Sequence, residues 1–150
     1  MLDAINRFFK DRLQPRESGG EMAFDTLALA SAALMFEVIR ADDTIQTSER
    51  DHLRTLLRSG FDIADEDLDA LEGLAEQQVE DATDLYQFTR LITEHCDADE
   101  RIELIAQLWS LAWADGEIDA MEEHAIRRVA GLIHVRNRDF VAARIRTRPA

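Results

Sequence analysis

Apolar residues recur along this chain at spacings of three and four, and almost nowhere in alternation, so the pattern predicts helices throughout. Leu2, Ile5, Phe8, Phe9 and Leu13 share one helical face, which predicts a short amphipathic helix. Pro15 and the Glu-Ser-Gly-Gly run ending at Gly20 stop it and read as a linker. From Glu21 to about Arg40 the centre, LALASAALMFEVI, is apolar on nearly every side, as in a helix buried all round. Glu37 is its one carboxylate, expected at the helix edge because a buried one needs a partner or a cation. A helix from about Thr47 to Arg58 would turn Leu53, Leu56 and Leu57 inward, with Gly60 as its C-cap. The next would start near Asp65 or Glu66 and carry Leu68, Leu71, Leu74 and Val79. Another spans about Asp84 to His95, with Leu85, Phe88, Leu91 and Ile92 on one face. Asp97 or Asp99 opens a helix with Ile102, Ile105, Leu108, Trp109, Ala112 and Trp113 as core surface. Asp119 to about Ile133 follows. A last helix runs from Asn137 to Thr147, with Asn137 as N-cap and Phe140, Val141 and Ile145 facing in.

Within this pattern one segment occurs twice, 73 positions apart. ADDTIQTSERDHLRTLL begins at Ala41 and ADGEIDAMEEHAIRRVA at Ala114, each after a strongly apolar helical run. Aligned without a gap, Ala41 matches Ala114, Asp42 matches Asp115, Ile45 matches Ile118, Glu49 matches Glu122 and Arg54 matches Arg127. Two similar helix-loop-helix units are predicted. They would pack about a pseudo-two-fold axis, because each has an apolar face that a similar neighbour can cover. The expected fold is all-α: a single domain of seven or eight helices over residues 21–150, preceded by a helical arm and linker over 1–20.

Composition agrees. At 150 residues, 46% hydrophobic with six Gly and two Pro, the chain suits one helical core. Net charge is −14, unevenly placed: Asp62 to Glu123 holds twenty acids and only two bases, Arg90 and Arg101, whereas seven arginines follow from Arg127 onward. A surface so acidic repels polyanions, so no nucleic-acid partner is expected and the terminal arginines are expected to face water or pair with acids. The apolar runs are too short for a membrane span. With no secretory signal pattern and a lone Cys96, a cytoplasmic location is expected, with peripheral association through Phe8 and Phe9 left open.

The chemistry on offer lies in the repeated loops. In the second copy Asp115, Glu117, Asp119 and Glu122 take relative positions 1, 3, 5 and 8, with Gly116 relaxing the turn. Alternating acids in a tight loop can converge oxygens on one hard cation. An EF-hand is excluded, since its Gly and bidentate Glu positions hold Ala120 and Ile126. In the first copy Thr44 and Gln46 replace two of the acids, leaving Asp42, Asp43 and Glu49. Asp42, Glu49, Asp115 and Glu122 would form a shared carboxylate cluster if the two loops met. A second explanation stands beside that one: Asp119 with Glu122 three residues on is a capping pair, and acids favour a first helical turn without any metal. Glu49 and His52 make one Glu-x-x-His pair, but Ala125 stands where a second His would recur, so a di-iron site is not expected and His52 reads as a surface residue. His95 and Cys96 point about 100° apart on a helix and lack partners for a zinc set. No nucleophile motif, phosphate loop or dinucleotide fingerprint is present, and no enzyme is expected.

The doubled pattern, an apolar helix followed by Ala-Asp-Gly-x-Ile with Glu four residues after the Ile, resembles the TerB family of tellurite-resistance proteins over roughly Phe24 to Val135. ADGEIDAMEE matches it well; the first copy departs by having Asp43 in place of Gly. The resemblance implies an all-helical pseudo-symmetric fold, acidic residues that hold a metal ion, and a role in stress response or as a scaffold near membrane-associated complexes. The residues it carries over are Asp42, Glu49, Asp115, Glu117 and Glu122. Together with Asp119 from the loop spacing they form the expected site for a divalent cation, Ca²⁺ or Mg²⁺ foremost. The alternative expectation is a metal-free domain that docks a protein partner and whose repeated acids only cap helices.

Overall fold

Residues Ala28 to Ile39 are buried on every side except at Glu37, and that stretch forms the axis of the molecule. The computed structural model describes residues 19–41, 47–61, 63–81, 85–114 and 116–149, so the predicted arm over 2–13 lies outside the described residues. Seven helices and no strand occur among the described residues. They are α1 (Gly19–Ile39), α2 (Thr47–Phe61), α3 (Asp65–Asp81), α4 (Tyr86–His95), α5 (Ala98–Ala112), α6 (Ala120–Leu132) and α7 (Asn137–Thr147). Helix α1 packs against α2 through α6, while α5 packs against α1, α2, α6 and α7. Small residues make this sharing of α1 feasible: Ala28, Ala30, Ala32 and Ala33, all at most 1% exposed, let neighbouring helices approach from several directions.

The repeat is visible in the backbone. α1 and α5 end at Ile39 and Ala112, and α2 and α6 begin at Thr47 and Ala120, each pair 73 residues apart. The turns also match bond for bond: Arg40 and Ala41 donate to the carbonyls of Phe36 and Val38, as Trp113 and Ala114 donate to those of Trp109 and Leu111. α1 contacts α6 and α5 contacts α2, the reciprocal crossing that a pseudo-two-fold relation requires. Leu53 and its counterpart Ile126 are both fully buried in the common core.

Four expectations need correction. Helix α1 takes in Gly19 and Gly20, assigned above to the linker; first-turn amides lack intrahelical acceptors in any case, so a helix start is weakly specified by sequence. Gly60 is not a C-cap, because α2 runs on to Phe61, which packs against the core. Asn137 is the first helical residue of α7 and not its cap; Arg136 holds the cap position with no side-chain bond. Val141 and Ile145 face outward, at 40% and 69% exposure, while Phe140 and Ala143 face in. The register of α7 is decided by Phe140, whose carbonyl accepts from Trp109 Nε1 at 3.1 Å and whose ring lies 4.9 Å from the Trp109 ring.

Candidate functional site: the two acidic loops

Each loop follows a helix that ends in the same turn, and in the second copy the turn closes with Gly116 N–H donating to the Trp113 carbonyl at 2.8 Å. Gly116 has φ 94°, a conformation that suits glycine because it has no Cβ. Asp119 then caps α6: its Oδ1 accepts from the Met121 amide at 2.7 Å, and Glu122 Oε1 accepts from the Asp119 amide at 3.1 Å, completing a capping box. Asp119 and Glu122 are therefore brought together, as a helix start. Glu117 is exposed on the loop. Asp42, Asp43 and Asp115 lie outside the described residues.

Glu49 and Glu122 hold equivalent places in the first turns of α2 and α6, and each is only 3% exposed. The helix dipole favours a carboxylate there, but burial removes the water that would otherwise solvate it. Capping by itself does not demand burial. α5 begins with the same capping box, Asp97 with Glu100 at 2.9 Å in both directions, and there Glu100 stays exposed.

As donors, the expected set is carboxylate oxygen only, the chemistry of a hard cation and not of zinc or copper. It fits such an ion in kind. Among the described residues no group of three or more His, Cys, Asp or Glu converges as a metal site, so Glu49, Glu117, Asp119 and Glu122 do not form one without the loop acids.

Several features at the loops had no counterpart in the sequence reading. Arg40 Nη1 and Trp113 Nε1, again 73 residues apart, are buried donors with no acceptor among the described residues. His52 is not a surface residue: it is half-buried, and its Nε2 lies 2.6 Å from Ser110 Oγ across the α2–α5 contact. Burial pushes its imidazole below the ordinary histidine range. The Glu-x-x-His spacing drew attention to His52, but nothing in sequence pairs it with a serine 58 residues away. The acids of α3 are also less free than composition suggests. Arg50 bonds Glu72 at 2.6 Å and Glu76 at 3.4 Å, Arg54 bonds Asp69 at 2.8 Å and also Glu72, and Arg58 bonds Asp65 at 2.7 Å. The signal was present as arginines at i, i+4 and i+8 facing acids across a short connection. Some terminal arginines pair as expected, Arg144 with Glu123 at 2.9 Å and Arg146 with Glu103 at 3.3 Å.

The matching loops and crossing helices agree with a wider comparison: the family model described as tellurite resistance protein TerB matches residues 28–145. The chain belongs to the TerB family. The match spans both halves of the repeat and reaches from within α1 to within α7, and the all-α architecture is that of TerB. TerB is not a known enzyme family. No curated protein and no solved structure matches the chain. Among the described residues of this TerB domain, no helix is long and apolar enough to cross a membrane.

Proposed function

We propose that this TerB domain binds a divalent cation, Ca²⁺ or Mg²⁺, through the acids of its repeated loops and acts in a stress response of the tellurite-resistance type or as a scaffold. The ligands would come from Asp42 and Glu49 in the first unit and Asp115, Glu117, Asp119 and Glu122 in the second. One observation carries the reading: a carboxylate is buried to 3% exposure at the same place in both units, although the capping box of α5 shows that capping leaves such a glutamate in water. A nearby cation would offset the loss of hydration that burial imposes on both carboxylates.

The capping box of α6 favours a second reading, in which the domain binds no metal and its acidic surface docks a basic protein partner. The two are separated by calorimetric titration of chelator-stripped protein with Ca²⁺, Mg²⁺, Mn²⁺ and Zn²⁺, with thermal melts in each ion and in chelator. Saturable binding that raises the melting temperature and is lost in Asp115→Asn is the expected result. At a hundred times Kd the ion would add about 2.7 kcal/mol of stability. Absence of binding with superimposable melts would overturn the cation reading. Glu122→Gln adds a second arm: a stability loss equal in ion and in chelator would assign the glutamate to capping alone.

A further inference from the structure

A cleft of about 450 Å³ lies between α2, the end of α5 and the C-terminal end of α7. Its volume is within the usual range for small-molecule sites. Ser48, Asp51 and His52 of α2 line it, facing Ser110 and Trp113 on and just after α5, so the contact between Ser110 and His52 opens onto ligand-sized space.

The direction of that contact follows from the other helical hydroxyls. Thr55, Ser59, Thr93 and Thr147 each donate to the carbonyl four residues back in their own helix, at 2.8 to 3.1 Å. Ser110 makes no such bond; among the described residues its Oγ has one partner, His52 Nε2 at 2.6 Å. The serine proton therefore points at Nε2, and the ring carries its own proton on Nδ1. Burial keeps the imidazole neutral at pH 7, the form that can take up a proton. A hydroxyl directed at a neutral imidazole is the arrangement of a nucleophile with its general base.

Two lining side chains also hold donors that no described residue engages, the Ser48 hydroxyl and Trp113 Nε1. Donors left unengaged beside a nucleophile are what an oxyanion requires as it develops. Ser48 stands in the first turn of α2, so the positive end of that helix dipole lies on the same wall. No carboxylate bonds the His52 ring among the described residues, which makes the pair a dyad with slow turnover. Asp51, exposed on the cleft, and the net charge of −14 disfavour anionic substrates.

We propose that this cleft hydrolyses small neutral carboxylic esters, with Ser110 as nucleophile and His52 as general base. Ser110 Oγ would bond to the ester carbonyl carbon while its proton passes to His52 Nε2. Collapse of the tetrahedral adduct breaks the bond to the alkoxy oxygen, which takes that proton and leaves as the alcohol. A water molecule, giving a proton to His52, then attacks the acyl-serine; the carboxylic acid departs and Ser110 recovers its proton.

The test uses the full chain with 4-nitrophenyl acetate as substrate and an alkyl fluorophosphonate as trap. The expected result is saturable hydrolysis, at least tenfold slower in Ser110→Ala and in His52→Gln, and unchanged in His95→Gln, where an exposed histidine outside the cleft is removed. A thermal melt of each variant checks the fold. The trap needs no variant: in wild type it should form a one-to-one adduct that peptide mass spectrometry places on Ser110 and that prior unfolding in urea prevents. Hydrolysis equally fast in Ser110→Ala, or an adduct on a different residue, would overturn the proposal by assigning the reaction to surface groups. Absence of both saturable hydrolysis and adduct would overturn it too, and would leave the Ser110–His52 bond as a packing contact between α2 and α5.

Discussion

His134 holds a φ of 62° just after α6, where the Val135 amide reaches back to the Ala130 carbonyl at 2.9 Å and the His134 amide to that of Gly131 at 3.3 Å. This is a Schellman stop with a non-glycine residue at the left-handed position. His134→Gly should therefore stabilise the fold, by about 0.5–1 kcal/mol once the greater unfolded-state freedom of glycine is subtracted, as read from urea unfolding. His52 has a different signature. Its pKa is depressed in the folded state by burial, so the unfolded chain takes up a proton first as the pH falls through about 6.5. Its contribution to stability is fully present above that pH and is lost progressively as the pH drops toward the folded value. Wild type should lose more stability than His52→Gln between pH 7 and pH 5, and identical slopes would contradict the assignment. Individual acids of the loops were legible in sequence as residues. The burial of Glu49 and Glu122 was not, because burial is set by how the chain packs around them and not by their own spacing.

At the scale of elements, the contact between α2 and α3 adds ion pairs to the buried leucines Leu53, Leu57, Leu68 and Leu71. Glu72, 7% exposed, accepts from both Arg50 and Arg54, and the Arg50 guanidinium also lies over the Phe36 ring at 5.5 Å. Glu72→Gln keeps the shape and removes the charge, and should cost about 1–3 kcal/mol because two guanidiniums lose a half-enclosed acceptor. The loss should persist at 1 M salt, unlike that of an exposed pair such as Arg58 with Asp65. Helix positions and most inward faces were readable from spacing, since apolar periodicity is a local property. The register of α7 was not. Phe140, Val141 and Ile145 are equally apolar in sequence, and the choice fell to the Trp109 indole, which bonds the Phe140 carbonyl.

For the whole molecule, α1 decides how the chain unfolds. It contacts five other helices, so neither repeat unit keeps a core once α1 leaves. The melt should be one cooperative transition, with far-ultraviolet circular dichroism and the signal of the fully buried Trp109 coinciding; two resolved transitions would mean that the units are independent. Sequence by itself determined the helical class, the doubled unit and its 73-residue offset, and the TerB resemblance, since each depends on which residue types stand at which spacing. Only the tertiary structure decided that two glutamates are buried alike, that His52 meets Ser110, that three arginines of α2 hold the acids of α3, and that α7 turns Val141 and Ile145 to solvent. Those are contacts between elements distant along the chain. Their energy depends on which faces meet and how much water is excluded, quantities that no local pattern carries.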